Sequence, residues 1–153
     1  MTTLPPEQLS PIRAFLESQS TFSLATVDSA GNPQAAPLFY VSDDALNLYW
    51  LSSPTSRHSL NLIAHPRVAA TIYPAVWAWT DIRGLQIEGD AQPVSDLDER
   101  ERILTLYRAK FPLPPAFDAQ IAASTLYGLK PTWMRWLDNS VRFGHKIELK
   151  VES

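Results

Sequence analysis

Cysteine is absent from the 153-residue chain, which excludes disulfides, a thiolate nucleophile and any Cys-ligated metal. Glycine is scarce, five residues against thirteen prolines, and neither a Walker-type loop nor a GxGxxG turn is present. The histidines His58, His65 and His145 have no metal-ligand spacing, so a metal site is not expected. A Ser-His-Asp order with a nucleophile elbow is also missing. No apolar run approaches the roughly 18 residues of a membrane span, and no membrane partner is expected. Basic charge is not in excess: 13 Lys and Arg stand against 16 Asp and Glu, for a net charge of -3. A general nucleic-acid surface would need a clustered basic surplus. The start Met1-Thr2-Thr3-Leu4-Pro5-Pro6 has neither a charged n-region nor an apolar h-region, and a cytoplasmic location is expected.

What the chain does contain is an ordinary globular composition, 45% hydrophobic and 19% charged, at a length suited to a single domain over residues 1–153. The prolines punctuate rather than form a tract: Pro5, Pro6 and Pro11 near a first helix, Pro33 and Pro37 around a strand, Pro66 after a helix, and Pro112, Pro114 and Pro115 between later elements. Leu9, Ile12, Phe15 and Leu16 share a helical face, predicting a helix from Pro6 to about Gln19. Thr21 to Val27, Asn32 to Val41 and Leu46 to Leu51 read as a three-stranded meander. A helix from Ser56 to Ala64 must end before Pro66, and Val68 to Tyr73 is a fourth strand.

Ile82 to Val94 alternates apolar and polar residues as a long strand, with Gly84 and Gly89 as bulge or bend sites. Ser95 and Asp98 resemble a capping box for a helix ending near Phe111. A short helix, Ala116 to Ala123, precedes strands at Thr125 to Leu137 and Arg142 to Val151. About seven strands and four helices predict an α+β domain with an antiparallel sheet. Periodicity alone leaves a sandwich and a closed sheet equally open.

The chemistry concentrates in Leu51-Ser52-Ser53-Pro54-Thr55-Ser56-Arg57-His58. A strand there stops in a hydroxyl-rich turn, and a helix begins with Ser and Arg. Free N–H groups and the positive end of the helix dipole favour an anion. Ser52, Ser53, Thr55 and Ser56 can donate hydrogen bonds, and Arg57 offers a planar fork matched to phosphate. The same residues also fit a plain surface helix capped by Thr55 or Ser56, with Arg57 solvated. His58 is either a phosphate partner or an exposed helix residue, and His65 a C-terminal dipole partner. Trp77 and Trp79 read as core or dimer-interface aromatics, with stacking on a bound ring or covering a substrate as the alternative. Trp133 and Trp136 straddle Arg135, an arrangement open to cation–π packing.

The segment above, with Phe22-Ser23-Leu24-Ala25-Thr26-Val27, Gly31-Asn32-Pro33, Ala36-Pro37-Leu38-Phe39-Tyr40 and Ile87-Glu88-Gly89-Asp90-Ala91, resembles the pyridoxamine 5'-phosphate oxidase-like, FMN-binding split-barrel superfamily. The C-terminal piece from Leu129 to Lys146 resembles a small, functionally uncharacterised subgroup. This resemblance implies an antiparallel split β-barrel with short peripheral helices, FMN as cofactor, and a homodimer with flavin sites between subunits. It places Ser52, Ser56 and Arg57 on the flavin phosphate, His58 where a phosphate-binding Lys is common, and the backbone of Pro37, Leu38 and Phe39 along the isoalloxazine edge. The Arg that the oxidase branch carries early in its second strand is replaced here by Ala35-Ala36, and that branch's C-terminal Trp and Arg have no counterpart. The implied activity is therefore that of a flavin-dependent oxidoreductase on an unidentified small molecule. Haem binding through His145, a deazaflavin-dependent reductase and a cofactor-free interaction module are the alternatives on the same fold.

Overall fold

The structure is a computed structural model that describes residues 6–151; the N-terminal stretch read for targeting lies outside them. Its helices are α1 (Pro6–Ser18), α2 (Arg57–Ala64), α3 (Leu97–Lys110) and α4 (Asp118–Ala123). The strands are β1 (Thr21–Val27), β2 (Pro33–Phe39), β3 (Val41–Ser42), β4 (Leu48–Ser52), β5 (Arg67–Ile72), β6 (Arg83–Pro93), β7 (Thr125–Asp138) and β8 (Lys146–Lys150). They form one antiparallel sheet in the order β2-β1-β5-β6-β7-β4-β3, with β8 added to β7. No helix among the described residues is long and apolar enough to cross a membrane.

The two ends of that order, β2 and β3, are consecutive in the chain, so one bent segment supplies both margins of the sheet and curls it into a split barrel. The bend falls at Tyr40. Its backbone N–H donates to Ser20 O at 3.1 Å, and its hydroxyl donates to Leu16 O at 2.6 Å. The Lys110 ammonium stands 4.1 Å from the centre of its ring. Burial pushes the Lys110 pKa down to about 8, with Glu17 opposing the shift. These anchors break the single strand expected from Asn32 to Val41 into two, which gives eight strands instead of seven. Pro33 and Pro37 fit β2 because it is a margin strand, where a missing N–H costs no interior ladder bond.

The long strands behave as their sequence dictates. β6 alternates exposed and buried residues along its length, as a strand with one solvated face must. Gly89 sits at the register shift between β6 and β7, where a Cβ would come within 2.2 Å of Lys130 O. The extra residue is Thr132 on β7, between the partners of Glu88 and Gly89, so the bulge lies opposite Gly89 instead of at it. Gly84 is no bulge; its missing side chain makes room for Ile72 O, 2.8 Å from where a Cβ would stand. β7 pairs with β4 through its first residues and with β8 through its last, while β6 lies along its other side. Phe22, Trp50, Tyr40 and Tyr127 fill the centre of the barrel, with Trp50 5.3 Å from Phe22 and 5.9 Å from Tyr127.

Several boundaries differ from the sequence reading. Leu46 is not a strand residue: it has a φ of 68° in a turn closed by Asp43, whose Oδ1 accepts from Ala45 N and Asn47 N. The turn after β1 is built alike, Asp28 accepting from Ala30 N and Asn32 N, but there the left-handed position is Gly31, at 82°. Burying the Leu46 side chain offsets a left-handed conformation that costs about 1–2 kcal/mol. The N-cap of α3 is Asp96, which accepts from Asp98 N, rather than Ser95. Pro11 lies inside α1, within the span from Pro6 to about Gln19 that the sequence predicts. β8 starts only at Lys146, because Asp138 and Asn139 close a longer turn over the residues before it.

Candidate functional site

β4 delivers Ser52 to the mouth of the barrel, and the turn after it reverses the chain into α2. Ser56 is the N-cap, but its side chain makes no capping bond, so no hydroxyl competes for the first N–H groups of α2. The Ser56 hydroxyl turns sideways instead, 2.7 Å from Ser59 Oγ and 3.3 Å from Ser52 Oγ. His58 joins them, its Nε2 2.7 Å from Ser52 Oγ and 3.1 Å from Ser56 Oγ. Three hydroxyls and an imidazole thus converge at a helix start, the kind of donor set that surrounds a phosphate.

Ser53 does not join this group. Its hydroxyl stays within the turn, accepting from Thr55 N at 3.3 Å. Arg57 projects outward, 58% exposed, its Nη2 3.9 Å from Asp28 Oδ2. Asp28 is held below the usual carboxylate range chiefly by the Asn32 N–H; Arg57 is the smallest of the contributing causes. The guanidinium is therefore only loosely engaged. Burial holds the His58 imidazole below its ordinary pKa, which makes it a neutral hydrogen-bonding group near pH 7 rather than a cation. Of the two readings of His58, that of an exposed helix residue does not hold, since Ser52 and Ser56 engage its half-buried ring.

Pro37, Leu38 and Phe39 lie farther along the sheet margin. Pro37 pairs with Ser23 and Pro33 with Val27, so Pro37 is four residues, roughly 13 Å, from the Asp28 end of the strand pair. Leu38 turns its side chain into the core, Pro37 is exposed, and Phe39 packs on Phe111 with ring centres 5.0 Å apart. The hydroxyl and imidazole cluster near one end of β2 and the open backbone margin toward the other suit a ligand with a phosphate at the end of a polar chain and a ring beyond it. The residues present fit FMN in that respect.

Sequence reasoning missed Asp28, Ser59 and the buried pair Asn61–Thr26, in which Asn61 Nδ2 donates to Thr26 Oγ1 at 3.0 Å and ties α2 to β1. The Asp28/Asn32 and Asp43/Asn47 spacing was a visible signal for the two turns; nothing in the sequence linked Asp28 to Arg57. His65 caps the C-terminus of α2, its N–H bonded to Asn61 O. Trp77 and Trp79 are not core residues: both are exposed in the loop between β5 and β6, where the Trp79 ring meets Phe143 edge-on and its carbonyl accepts from Asn139 Nδ2 at 2.9 Å. Trp136 packs on Phe15 in the core, and Arg135 stacks over Trp133 alone, 5.2 Å from its centre. Among the described residues no three His, Asp or Glu side chains are grouped to hold a metal.

A family model described as pyridoxamine 5'-phosphate oxidase matches residues 10–137. The chain belongs to this family. A UPF0306 protein of Serratia proteamaculans is 30% identical over 145 residues, covering 92% of this chain and 94% of the relative. Among solved structures, a haem binding protein from Mycobacterium smegmatis superposes with a TM-score of 0.78 at 18% identity, over 97% of this chain and 60% of that one. The haem storage protein HutZ from Vibrio cholerae gives 0.68 at 23% identity, over 80% and 88%. These two likenesses are of fold.

Proposed function

We propose that the protein is an FMN-binding, flavin-dependent oxidoreductase of the pyridoxamine-phosphate-oxidase-like type, a homodimer acting on a small molecule. The observation that carries this reading is the convergence of Ser52, Ser56 and His58 at the uncapped start of α2 beside a loosely held Arg57. Bound flavin would supply the hydride or electron chemistry. The chain's own part is to bind and orient it: Ser52 and Ser56 donate to phosphate oxygens, Arg57 exchanges Asp28 for the phosphate, and the margin of β2 lies against the ring. Ala35 and Ala36, in place of the oxidase branch's Arg, leave that margin uncharged, which disfavours pyridoxamine 5'-phosphate itself as substrate.

An uncovered sheet face supports the dimer. Ala25 pairs with Ala35 on one side and Ala69 on the other, all three exposed. A shallow depression of about 330 Å³ runs beside Ala25 and Ala69. Small side chains on a flat face admit a second copy closely, and a twofold contact generates two equivalent sites at once. Light scattering should return a dimer, and Ala25→Lys should shift it to monomer with loss of FMN affinity. A monomeric wild type that still binds FMN would remove this part of the reading.

The pH dependence has a definite sign. An imidazole held below its unfolded value binds protons less readily folded than unfolded, so its contribution to stability is present above about pH 6.5 and lost as pH falls through the folded value. A phosphate favours the charged imidazole and reverses the shift. FMN binding should therefore take up protons near the ordinary imidazole value of about 6.5, visible by calorimetry in buffers of different ionisation enthalpy, and His58→Gln should abolish that uptake. His58→Lys should tighten FMN at neutral pH, with the gain shrinking in high salt.

A haem reading has one observation in its favour, the buried His145 Nδ1 that lacks a hydrogen-bond partner. Absorption spectra of the purified protein, followed by titration with FMN and with haemin, decide between the two. A flavin spectrum with saturable FMN binding supports the proposal; a Soret band that His145→Ala removes, with no FMN binding, overturns it.

A further inference from the structure

The first N–H groups of α2, those of Arg57, His58 and Ser59, have no hydrogen-bond partner among the described residues. Ordinarily the hydroxyl of an N-cap serine accepts from the second or third of them. The cap residue here is a serine, Ser56, yet it makes no such bond. The third N–H is that of Ser59, which has no exposed surface, so bulk water does not reach it either. A buried donor without an acceptor is rare in folded proteins.

The side chain of Ser59 is what draws the cap away. The Ser56 hydroxyl donates to Ser59 Oγ at 2.7 Å, the shortest of its contacts; Ser53 O stands at 2.9 Å, His58 Nε2 at 3.1 Å and Ser52 Oγ at 3.3 Å. Ser52 and His58 are half-buried and keep a side open toward a ligand. Ser59 is enclosed, on a helix that Asn61 ties to β1 through Thr26 at 3.0 Å. Its hydroxyl therefore does not meet an anion at the mouth of the barrel, but it orients one that does. When a phosphate oxygen takes the Ser56 proton, the Ser59 hydroxyl can reverse the bond and donate to Ser56 Oγ, since a hydroxyl rotor both gives and accepts.

We propose that Ser59 is a positioning residue of the phosphate site, holding the Ser56 hydroxyl aside so that the first N–H groups of α2 stay open to an anion. The role rests on the reading of the helix start as the flavin-phosphate site, and it adds a competition built into that start. Ser56 either caps α2, which stabilises the helix and closes the site, or is held by Ser59 and leaves the N–H groups to a phosphate.

The test is a double-mutant cycle of Ser59→Ala, Ser56→Ala and the two together, read by thermal unfolding and by titration with FMN and riboflavin. With Ser59 truncated, the Ser56 hydroxyl should swing in and cap the helix. Ser59→Ala should then raise the thermal midpoint by about 2–4 °C, the effect of one added cap in a domain of this size. It should also weaken FMN about fivefold, because the phosphate must displace the cap, and leave riboflavin unchanged. On the Ser56→Ala background the second substitution should leave FMN affinity as it was and raise the midpoint less, because only the better helix propensity of alanine remains. Parallel losses of stability and FMN affinity in Ser59→Ala, an unchanged FMN affinity, or equal effects on the two backgrounds would overturn the proposal, since Ser59 would then act by packing or propensity. If the wild-type protein binds no FMN, the flavin reading fails, and inorganic phosphate becomes the probe of the same N–H groups. Phosphate should raise the wild-type midpoint more than that of Ser59→Ala; an equal rise, or none in either, would remove the role from Ser59.

Discussion

Arg57→Ala is expected to weaken FMN by roughly 10- to 150-fold while leaving riboflavin nearly unchanged, because a charged hydrogen bond to phosphate is worth about 1.5–3 kcal/mol and riboflavin has no phosphate. The side chain is exposed and its ion pair among the described residues is with Asp28, at 3.9 Å, and a surface pair that loose contributes little to stability. The variant should therefore unfold at nearly the wild-type denaturant concentration. Paired titrations with FMN and riboflavin separate the phosphate from the ring. Equal losses for both ligands would move the phosphate away from the start of α2, and loss of neither would remove the flavin site from this part of the molecule.

The largest effect on stability is expected in the barrel centre. Trp50→Ala should cost about 3–5 kcal/mol, the range for truncating a buried large aromatic. Trp50 has no exposed surface and lies between Phe22 and Tyr127. Its indole N–H has no partner, and an unpaired buried donor is itself a cost of about 1–3 kcal/mol. Trp50→Phe should consequently lose much less than Trp50→Ala, because it removes that donor while retaining most of the ring packing. Urea unfolding of the two variants gives the comparison. A loss below about 1 kcal/mol for Trp50→Ala would mean that the centre can collapse around the missing ring, contrary to the close packing that makes such truncations costly.

The long elements were legible because one force acts on each of them. β6 alternates because one face is buried and the other is not, and α2 ends before Pro66 because the residue preceding a proline leaves helical geometry. The break at Tyr40 was hidden: it depends on Leu16, Ser20 and Lys110, the last of them seventy residues away along the chain, and local periodicity carries no trace of such anchors. Leu46 misled for a related reason. Its apolar side chain belongs to the core, as the pattern implied, but its backbone belongs to a turn dictated by Asp43. At the candidate site, Ser52, Ser56 and Arg57 stood out as residue types, whereas the turning away of Ser53 and the approach of Asp28 are properties of three-dimensional packing. The split barrel itself came from the resemblance, since strand count and spacing fit a sandwich equally well.

β7 has a consequence for how the molecule is made. It is the common neighbour of β4, β6 and β8, yet it begins only at Thr125, after most of the chain has left the ribosome. Until it emerges, β4 and β6 carry open ladders that attract any available strand. The nascent chain must therefore wait for β7 before the barrel can shut, and that interval, rather than the finished fold, is when misassembly is most accessible to it.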